Sequence, residues 1–364
     1  MTKLLTATAK WDENRNHWKI NVQRDGVRKS FYSSTSGRRG KAECEAKARE
    51  WLESNTEDDP TFAVAWERYC ETRKLQVGTS GQHSDDSIGH IHLLPALGKK
   101  KLSRITIQDW QDILNAAALS GLHKATIDDI RCRMTGFRKF CRKKRWPCEE
   151  MDLLENPSDL KSEKHVLSRA DVRKIFSDNS AKDGYRDPYW NAYRLAITQG
   201  YRRGEIAGMM WEDYKDGWLK INRAINSYGE TTQGKNARAR RLVKLTPTAV
   251  KIIEDQKAFL AEIGLITPYI FPDVRTGKPN PDKLYDAWIA YLKYHGIDKV
   301  TFHEIRHTMI SLCKADVPKE LLKAAVGHSD DMDTFGVYGH QMEEDYETTA
   351  SDIEAVMASV IGTA

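Results

Sequence analysis

Two stretches without apolar periodicity cut this 364-residue chain into pieces and so limit how many separate cores it can build. The first, "NTEDDP" at 55–60, is acidic and ends in Pro60; the second, "DLLENPSDLKSEKHV" at 152–166, is polar and holds Pro157. Segments of this kind bury too little side chain to offset the entropy of ordering their backbone, so they separate folded parts. The expected division is a small domain at 1–56, a second at 60–150, a linker at 151–167, a third domain at 168–345 and a tail at 346–364. Each of the two longer pieces has length enough for its own interior.

The pieces differ in pattern. In "HWKINVQRDGVRKSFY" (17–32), Trp18, Ile20 and Val22 alternate with polar neighbours and the chain turns at Asp25-Gly26, which predicts a hairpin. "KAECEAKAREWLES" then reads as a helix, and this small sheet plus helix carries Arg28, Lys29, Arg38 and Arg39. Residues 60–150 read as all helix, with Thr106 and Asp109 spaced as a capping box and Ile127, Ile130, Met134 and Phe137 as an apolar stripe. That stripe runs into "FRKFCRKKRW" (137–146), the densest basic cluster in the chain. Its Arg138, Lys139, Arg142, Lys143, Lys144 and Arg145 are interleaved with Phe137, Phe140 and Trp146. The aromatics can anchor one face to protein while the cations meet either water or phosphates. Ser168 and Asp171 cap a new helix, after which the pattern is mostly helical, interrupted by the strand-like "WLKINRAI" (218–225) and "RRLVKL" (240–245). The fold class expected is mainly α with small β-sheets, an α+β chain.

Composition narrows function less than these patterns do. The formal net charge of +5 barely favours nucleic acid as a partner, so the clustering of charge matters more than its sum. Six cysteines without a C-x-x-C pair read as reduced thiols. "MTKLLTATAKWD" is too short an apolar run for a signal peptide and no segment approaches a membrane span, so a cytoplasmic protein is expected. "LGKKKLS" lacks the glycine a phosphate loop needs at position 93, which is Leu93, and no nucleotide or other cofactor is expected.

"TFHEIRHTMISL" (301–312) spells His-Glu-x-x-His at His303, Glu304 and His307, the motif of a zinc metalloprotease. Zinc needs a third protein ligand, yet "TMISLCKADVPKE" follows His307 and Pro318 interrupts the helix before Glu320. The second frame is His303-x-x-Arg306. "AITQGYRRGEIAGMMWEDY" (196–214), "HEIRHT" (303–308), "GHSD" (327–330) and "TFGVYGH" (334–340) follow in order, and together they resemble the tyrosine recombinase family of phage-type integrases.

The resemblance implies that Arg202, His303, Arg306 and His328 bind and activate a DNA phosphodiester, that Glu205 braces Arg202, and that Tyr338 is the nucleophile. Lys235 matches the hairpin lysine of the family, with Lys244 nearby as the alternative general acid. It further implies a three-domain member similar to lambda integrase: an arm-type DNA-binding domain of strands and a helix, a helical, SAM-like core-binding domain and a mixed α/β-hairpin catalytic domain. The partners implied are double-stranded DNA attachment sites, three further copies of the chain in a synaptic tetramer with the tail docked in trans, and accessory DNA-bending or directionality proteins; no membrane and no metal are involved. A bacterial, nucleoid-associated location follows. An integrase or excisionase of a phage or integrative element is the expectation, with a Xer-like chromosome or plasmid resolvase as the alternative.

Overall fold

The computed structural model describes residues 7–24, 27–53, 58–160, 165–177, 187–232, 240–327 and 343–362. They form two compact units that divide between Ser162 and Glu163. The chain is mainly helical with small antiparallel sheets, as its patterns predict.

The first unit opens on an antiparallel sheet, β1 (Lys10–Asp12), β2 (His17–Arg24) and β3 (Val27–Ser33), followed by helix α1 (Gly37–Glu53). The β2–β3 register runs to Arg24 opposite Val27; the predicted turn residues Asp25 and Gly26 lie outside the described residues. Alternation places Ile20 and Val22 on the side that α1 covers, where they pack with Ala9, Cys44 and Ala48. The tight entry from β3 into α1 rests on Gly40, since a Cβ there would meet the Thr35 carbonyl oxygen at 1.6 Å.

The remainder of this unit is a helical bundle: α2 (Phe62–Lys74), α3 (Thr79–Ile88), α4 (Leu94–Leu97), α5 (Ile107–Leu119) and α6 (Lys124–Lys144). Phe62, Trp66, Tyr69, Trp110 and Phe137 form its aromatic centre, with Phe62 and Phe137 at 5.0 Å between ring centroids. The Thr106–Asp109 capping box starts α5 as expected. The segment 151–160 departs from the expected free linker, because it is strapped to the bundle. Met151 and Leu154 are buried in its core, Gln111 Nε2 donates to the Glu155 carbonyl at 3.1 Å, and Asn156 Nδ2 donates to the Lys124 carbonyl at 2.8 Å. Two apolar side chains and these bonds outweigh the polar composition that marked the segment as a linker.

The second unit is built around α8 (Trp190–Gln199), of which most side chains are buried. Around it stand α7 (Arg169–Ser177), α9 (Arg203–Ala207), α10 (Pro247–Glu262), α11 (Pro281–Tyr294), α12 (Phe302–Cys313) and α13 (Lys319–Val326). Tyr193 of α8 meets Trp288 and Tyr291 of α11 at 4.9 and 5.4 Å, joining the helices at an aromatic cluster. A sheet in the order β4 (Tyr214–Lys215), β5 (Trp218–Ile221), β8 (Arg241–Lys244) flanks them, with Leu219 opposite Val243. The run 218–225 was expected as one strand but breaks at Asn222-Arg223, where both side chains bond Asp213. Ala224–Ile225 (β6) instead pairs with Thr231–Thr232 (β7).

Helix α14 (Glu343–Ile361) ends the described chain. Its stripe of Ile353, Val356, Met357 and Val360 is buried in the core of the same unit, with Ile361 packed at the edge. Arg173 Nε donates to the Val360 carbonyl at 2.9 Å, and Thr248 Oγ1 donates to Glu354 Oε1 at 2.6 Å. In this single chain the tail docks in cis, whereas the expected docking in trans concerns the DNA-bound tetramer.

Candidate active site

Two tight helix ends bring the first arginine into place. Helix α8 stops at Gly200, whose φ of +66° is the left-handed conformation that glycine adopts at least cost. A Cβ at Gly200 would also lie 3.1 Å from Val326 Cγ1. Tyr201 and Arg202 follow, and Arg202 caps α9. Glu205, three residues on, accepts from the Arg202 backbone N–H at 3.1 Å and from Arg202 Nη1 at 2.6 Å. Helix α13 ends at Gly327, also left-handed, and there the carbonyl of Gly327 accepts from Arg202 Nη2 at 3.1 Å.

Helix α12 supplies the second arginine. Thr301 and Glu304 close a capping box at its start, which orients the first turn. Arg306 is 1% exposed, and its Nη1 donates to the carbonyls of Gly200, at 3.1 Å, and Val326. Both arginines are thus held by carbonyls at the C-termini of α8 and α13, the negative ends of two helix dipoles. Arg306 Nη2 is buried with no hydrogen-bond partner among the described residues. His303 lies one turn before Arg306 on α12 and is exposed, its ring 4.7 Å from that of His307.

The sequence reading missed Arg241. From β8 its Nη1 and Nη2 reach Glu205 Oε1 and Oε2 at 3.3 and 3.1 Å, and its Nε donates to the Ala325 carbonyl at 2.9 Å. The one available signal was a position at the start of a strand beside the hairpin, which does not single it out from its neighbour Arg240. Burial alone would raise the pKa of Glu205, but the Arg241 and Arg202 guanidiniums outweigh it and hold the carboxyl below its ordinary value. Burial, then repulsion from Arg202, pushes the Arg306 guanidinium down to about 9 despite Glu205, with Arg241 adding to the repulsion. Among the described residues, then, two guanidiniums, those of Arg202 and Arg241, bond one carboxylate whose charge also acts on a third, that of Arg306, and the excess positive charge suits a bound anion.

Glu304 does not stand as the general base that the zinc frame needs. It accepts from the backbone N–H of Thr301 at 2.7 Å and of His165 at 2.9 Å. Burial would raise its pKa, but these two bonds lower it instead. Lys244 sits with its ammonium 4.9 Å from the centroid of the Trp218 ring, and strand alternation puts it on the opposite side of β8 from Arg241. Lys235, His328 and Tyr338 lie outside the described residues.

The basic residues of the first unit separate by face. On β3, Arg28 belongs to the side of the sheet away from α1, opposite Gln23, whereas Lys29 shares the side of Val22 and lies over the rings of Phe31 and Trp51 at 5.3 and 5.8 Å. Arg38 and Arg39 stand exposed on the first turn of α1, where Arg39 pairs with Glu43 at 3.4 Å. In the cluster on α6, Phe137, Phe140 and Trp146 are buried while Lys139, Arg142, Lys143, Lys144 and Arg145 are exposed. Arg138 goes the other way: its side chain is 9% exposed and pairs with Glu150, and with Asp152 at 3.9 Å.

Residues 165–345 match the phage integrase family. No curated protein sequence matches the chain. Among solved structures, a lambda integrase tetramer bound to a Holliday junction is similar with a TM-score of 0.63 at 17% identity, over 94% of this chain and 100% of that one. An integrase of the Tn1549 transposon in complex with transposon right end DNA is similar at 0.60 and 15% identity, over 79% of this chain and 98% of that one. Lambda integrase residues 75–356 bound to DNA reach 0.56 at 19% identity, over 75% and 93%. At such identities the likeness speaks for the fold, and the match to the lambda integrase tetramer, over 94% of this chain, takes in the N-terminal sheet as well as the helical parts. Through residues 165–345 the chain belongs to the phage integrase family of tyrosine recombinases.

Proposed function

We propose that this recombinase is the integrase/excisionase of a phage or integrative mobile element, and that it cleaves and rejoins double-stranded DNA through a 3′-phosphotyrosine on Tyr338. The observation that carries the reading is the Arg202–Arg306 pair, fixed on helix-end carbonyls with Arg306 Nη2 buried and unpartnered among the described residues. Tyr338 Oη forms a bond to the scissile phosphorus while the bond to the 5′ oxygen breaks. The crowded phosphorane between those states gathers negative charge on its non-bridging oxygens. Planar guanidiniums from Arg202 and Arg306, charged at neutral pH, suit those oxygens, and His328 donates to one of them.

A tyrosine with pKa near 10 is ionised in roughly one molecule in a thousand at neutral pH, so His303 accepts its proton. The leaving 5′ oxygen takes a proton from Lys235; the placement of Lys244 over Trp218 favours Lys235 for this role. Rejoining reverses the step with a new 5′ hydroxyl. The phosphotyrosine conserves the energy of the broken bond, so neither metal nor ATP enters the balance.

The sheet and helix of residues 7–53 serve as the arm-type DNA-binding domain, the α2–α6 bundle as the core-binding domain and the second unit as the catalytic domain. The N-terminal sheet favours a mobile-element integrase over a Xer-like resolvase, which would lack it. Four copies act on synapsed attachment sites, as in the lambda integrase tetramer on its junction, with accessory bending or directionality proteins. No described helix is long and apolar enough to cross a membrane, and a cytoplasmic, nucleoid-associated location fits a DNA substrate.

A nicked attachment-site substrate whose short product strand diffuses away traps the covalent intermediate. The parent protein should form the adduct and Tyr338→Phe should bind the same DNA without forming it. Adduct in that variant would move the nucleophile elsewhere, with Tyr346, edge-on to Trp218 at 5.6 Å, as the next candidate.

A further inference from the structure

Among the described residues, Glu205 is the carboxylate on which the guanidiniums converge, and its own charge poses a problem. Paired with Arg202 alone, it would cancel the charge that Arg202 offers to a phosphate. A buried carboxylate with one half-exposed partner is also poorly compensated, since the Glu205 side chain is 4% exposed and that of Arg202 41%.

Arg241 answers both points. Its fork takes both oxygens of Glu205, at 3.3 and 3.1 Å, so that Arg241 and Glu205 form a neutral buried pair beside Arg202 and Arg306. With its side chain 8% exposed and all three of its guanidinium nitrogens donating to protein oxygens, Arg241 is placed to act through its neighbours and not on the substrate. Its position in the chain adds a mechanical link. Arg241 opens β8, six residues after Lys235, and its Nε holds the carbonyl of Ala325, three residues before His328. The adjoining carbonyls of Val326 and Gly327 are those that hold Arg306 and Arg202.

On the reading of the site given under Proposed function, we infer that Arg241 is a positioning residue for DNA cleavage: it neutralises Glu205 so that Arg202 and Arg306 keep their full charge for the scissile phosphate, and it ties β8 to the end of α13. Supporting side chains of this kind set catalytic geometry without touching the reacting atoms.

The test is single-turnover cleavage of the nicked attachment-site substrate by the full chain, with DNA affinity and thermal melting measured alongside. Arg241→Met should slow cleavage by roughly ten- to a hundredfold while half-site affinity stays within about threefold. A structural role alone would leave the shape of the pH–rate profile unchanged. The positioning role predicts that Arg241→Met acquires an acid limb absent from the parent. Glu205 would then face only Arg202, Arg306 and the Tyr201 ring, so it would protonate at higher pH and stop cancelling the charge of Arg202, and the limb is a rise in rate toward acid. Arg241→Lys, which restores charge without the fork, should recover part of the rate and remove most of the limb; it also carries the test should Arg241→Met fail to fold. Parent-like cleavage by Arg241→Met, or by Arg241→Lys if that variant alone folds, would overturn the inference. So would a rate loss with no new acid limb and no rescue by lysine. If the parent itself forms no adduct, the recombinase reading fails first, and the role of Arg241 with it.

Discussion

Arg306 and Gly200, 106 residues apart in sequence, meet at 3.1 Å, with Arg306 Nη1 donating to the carbonyl that ends α8. The same nitrogen donates to Val326 at the end of α13, so one buried side chain joins three helices while Nη2 has no partner among the described residues. Under the proposed function the same guanidinium also serves cleavage, and the consequences of altering it are twofold.

Arg306→Ala should reduce cleavage by about 100- to 1,000-fold, the usual cost of losing one preorganised donor to a developing anion. It should also lower the stability of the second unit by about 1–3 kcal/mol, because the Gly200 and Val326 carbonyls lose a buried partner. Arg306→Lys should keep more of the stability than of the rate, since a point charge cannot fork. Urea unfolding and adduct formation measure the two separately; equal recovery of both by lysine contradicts a role that needs the planar guanidinium.

Glu304→Gln should leave cleavage per folded molecule nearly unchanged, and chelators should not affect the parent enzyme. Its effect belongs to stability, through the cap on α12 and the bond to His165, at about 1–2 kcal/mol. The folded-state pKa of Glu304 is lowered from 4.5, so its contribution is fully present above that value and is lost as pH falls through the lower folded pKa. The stability difference between parent and variant should therefore vanish on acidification. A difference that grew toward acid would mean the sign is wrong, and zinc-restored activity after chelation would revive the protease frame.

Met357→Ala should destabilise the isolated chain by about 2–5 kcal/mol, since Met357 is fully buried in the core of the second unit. Docking in cis makes the loss independent of protein concentration. Denaturation at concentrations a hundred times apart gives the answer, and a midpoint that moves with concentration would mean that the free chain docks its tail on a second copy.

The α6 cluster should divide in function as it does in space. Neutralising Lys143, Lys144 and Arg145 should reduce the log–log salt slope of DNA binding by about 0.9 for each phosphate that the variant no longer neutralises. Arg138→Ala should leave that slope alone and cost about 1–3 kcal/mol of stability, because Arg138 faces Glu150 and Asp152. Anisotropy titrations over a range of salt separate the two, and a slope that follows Arg138 would place that side chain on DNA.

Whatever a turn or two of chain can encode was legible in the amino acids alone. The capping boxes at Thr106–Asp109 and Ser168–Asp171 form as spelled, and Arg202 bonds Glu205 because three residues separate them across the first turn of α9. The apolar stripes at Ile127–Phe137 and Ile353–Val360 are buried as their period requires. Which surfaces meet was settled by packing in three dimensions. A stripe must be covered, but its burial is worth as much against a neighbour as against its own domain, so nothing in 346–364 favours cis over trans. Met151 and Leu154 looked like isolated apolar residues in a polar stretch until the groove beside α6 gave them a place. Arg241 reaches Glu205 across 36 residues, and Arg306 reaches Gly200 across 106, through backbone positions that exist only once α8, α12, α13 and β8 have packed. Hydrogen bonds of that range leave no periodic trace in sequence, because the residue type at one end is merely an arginine and at the other often only a carbonyl, which every residue has.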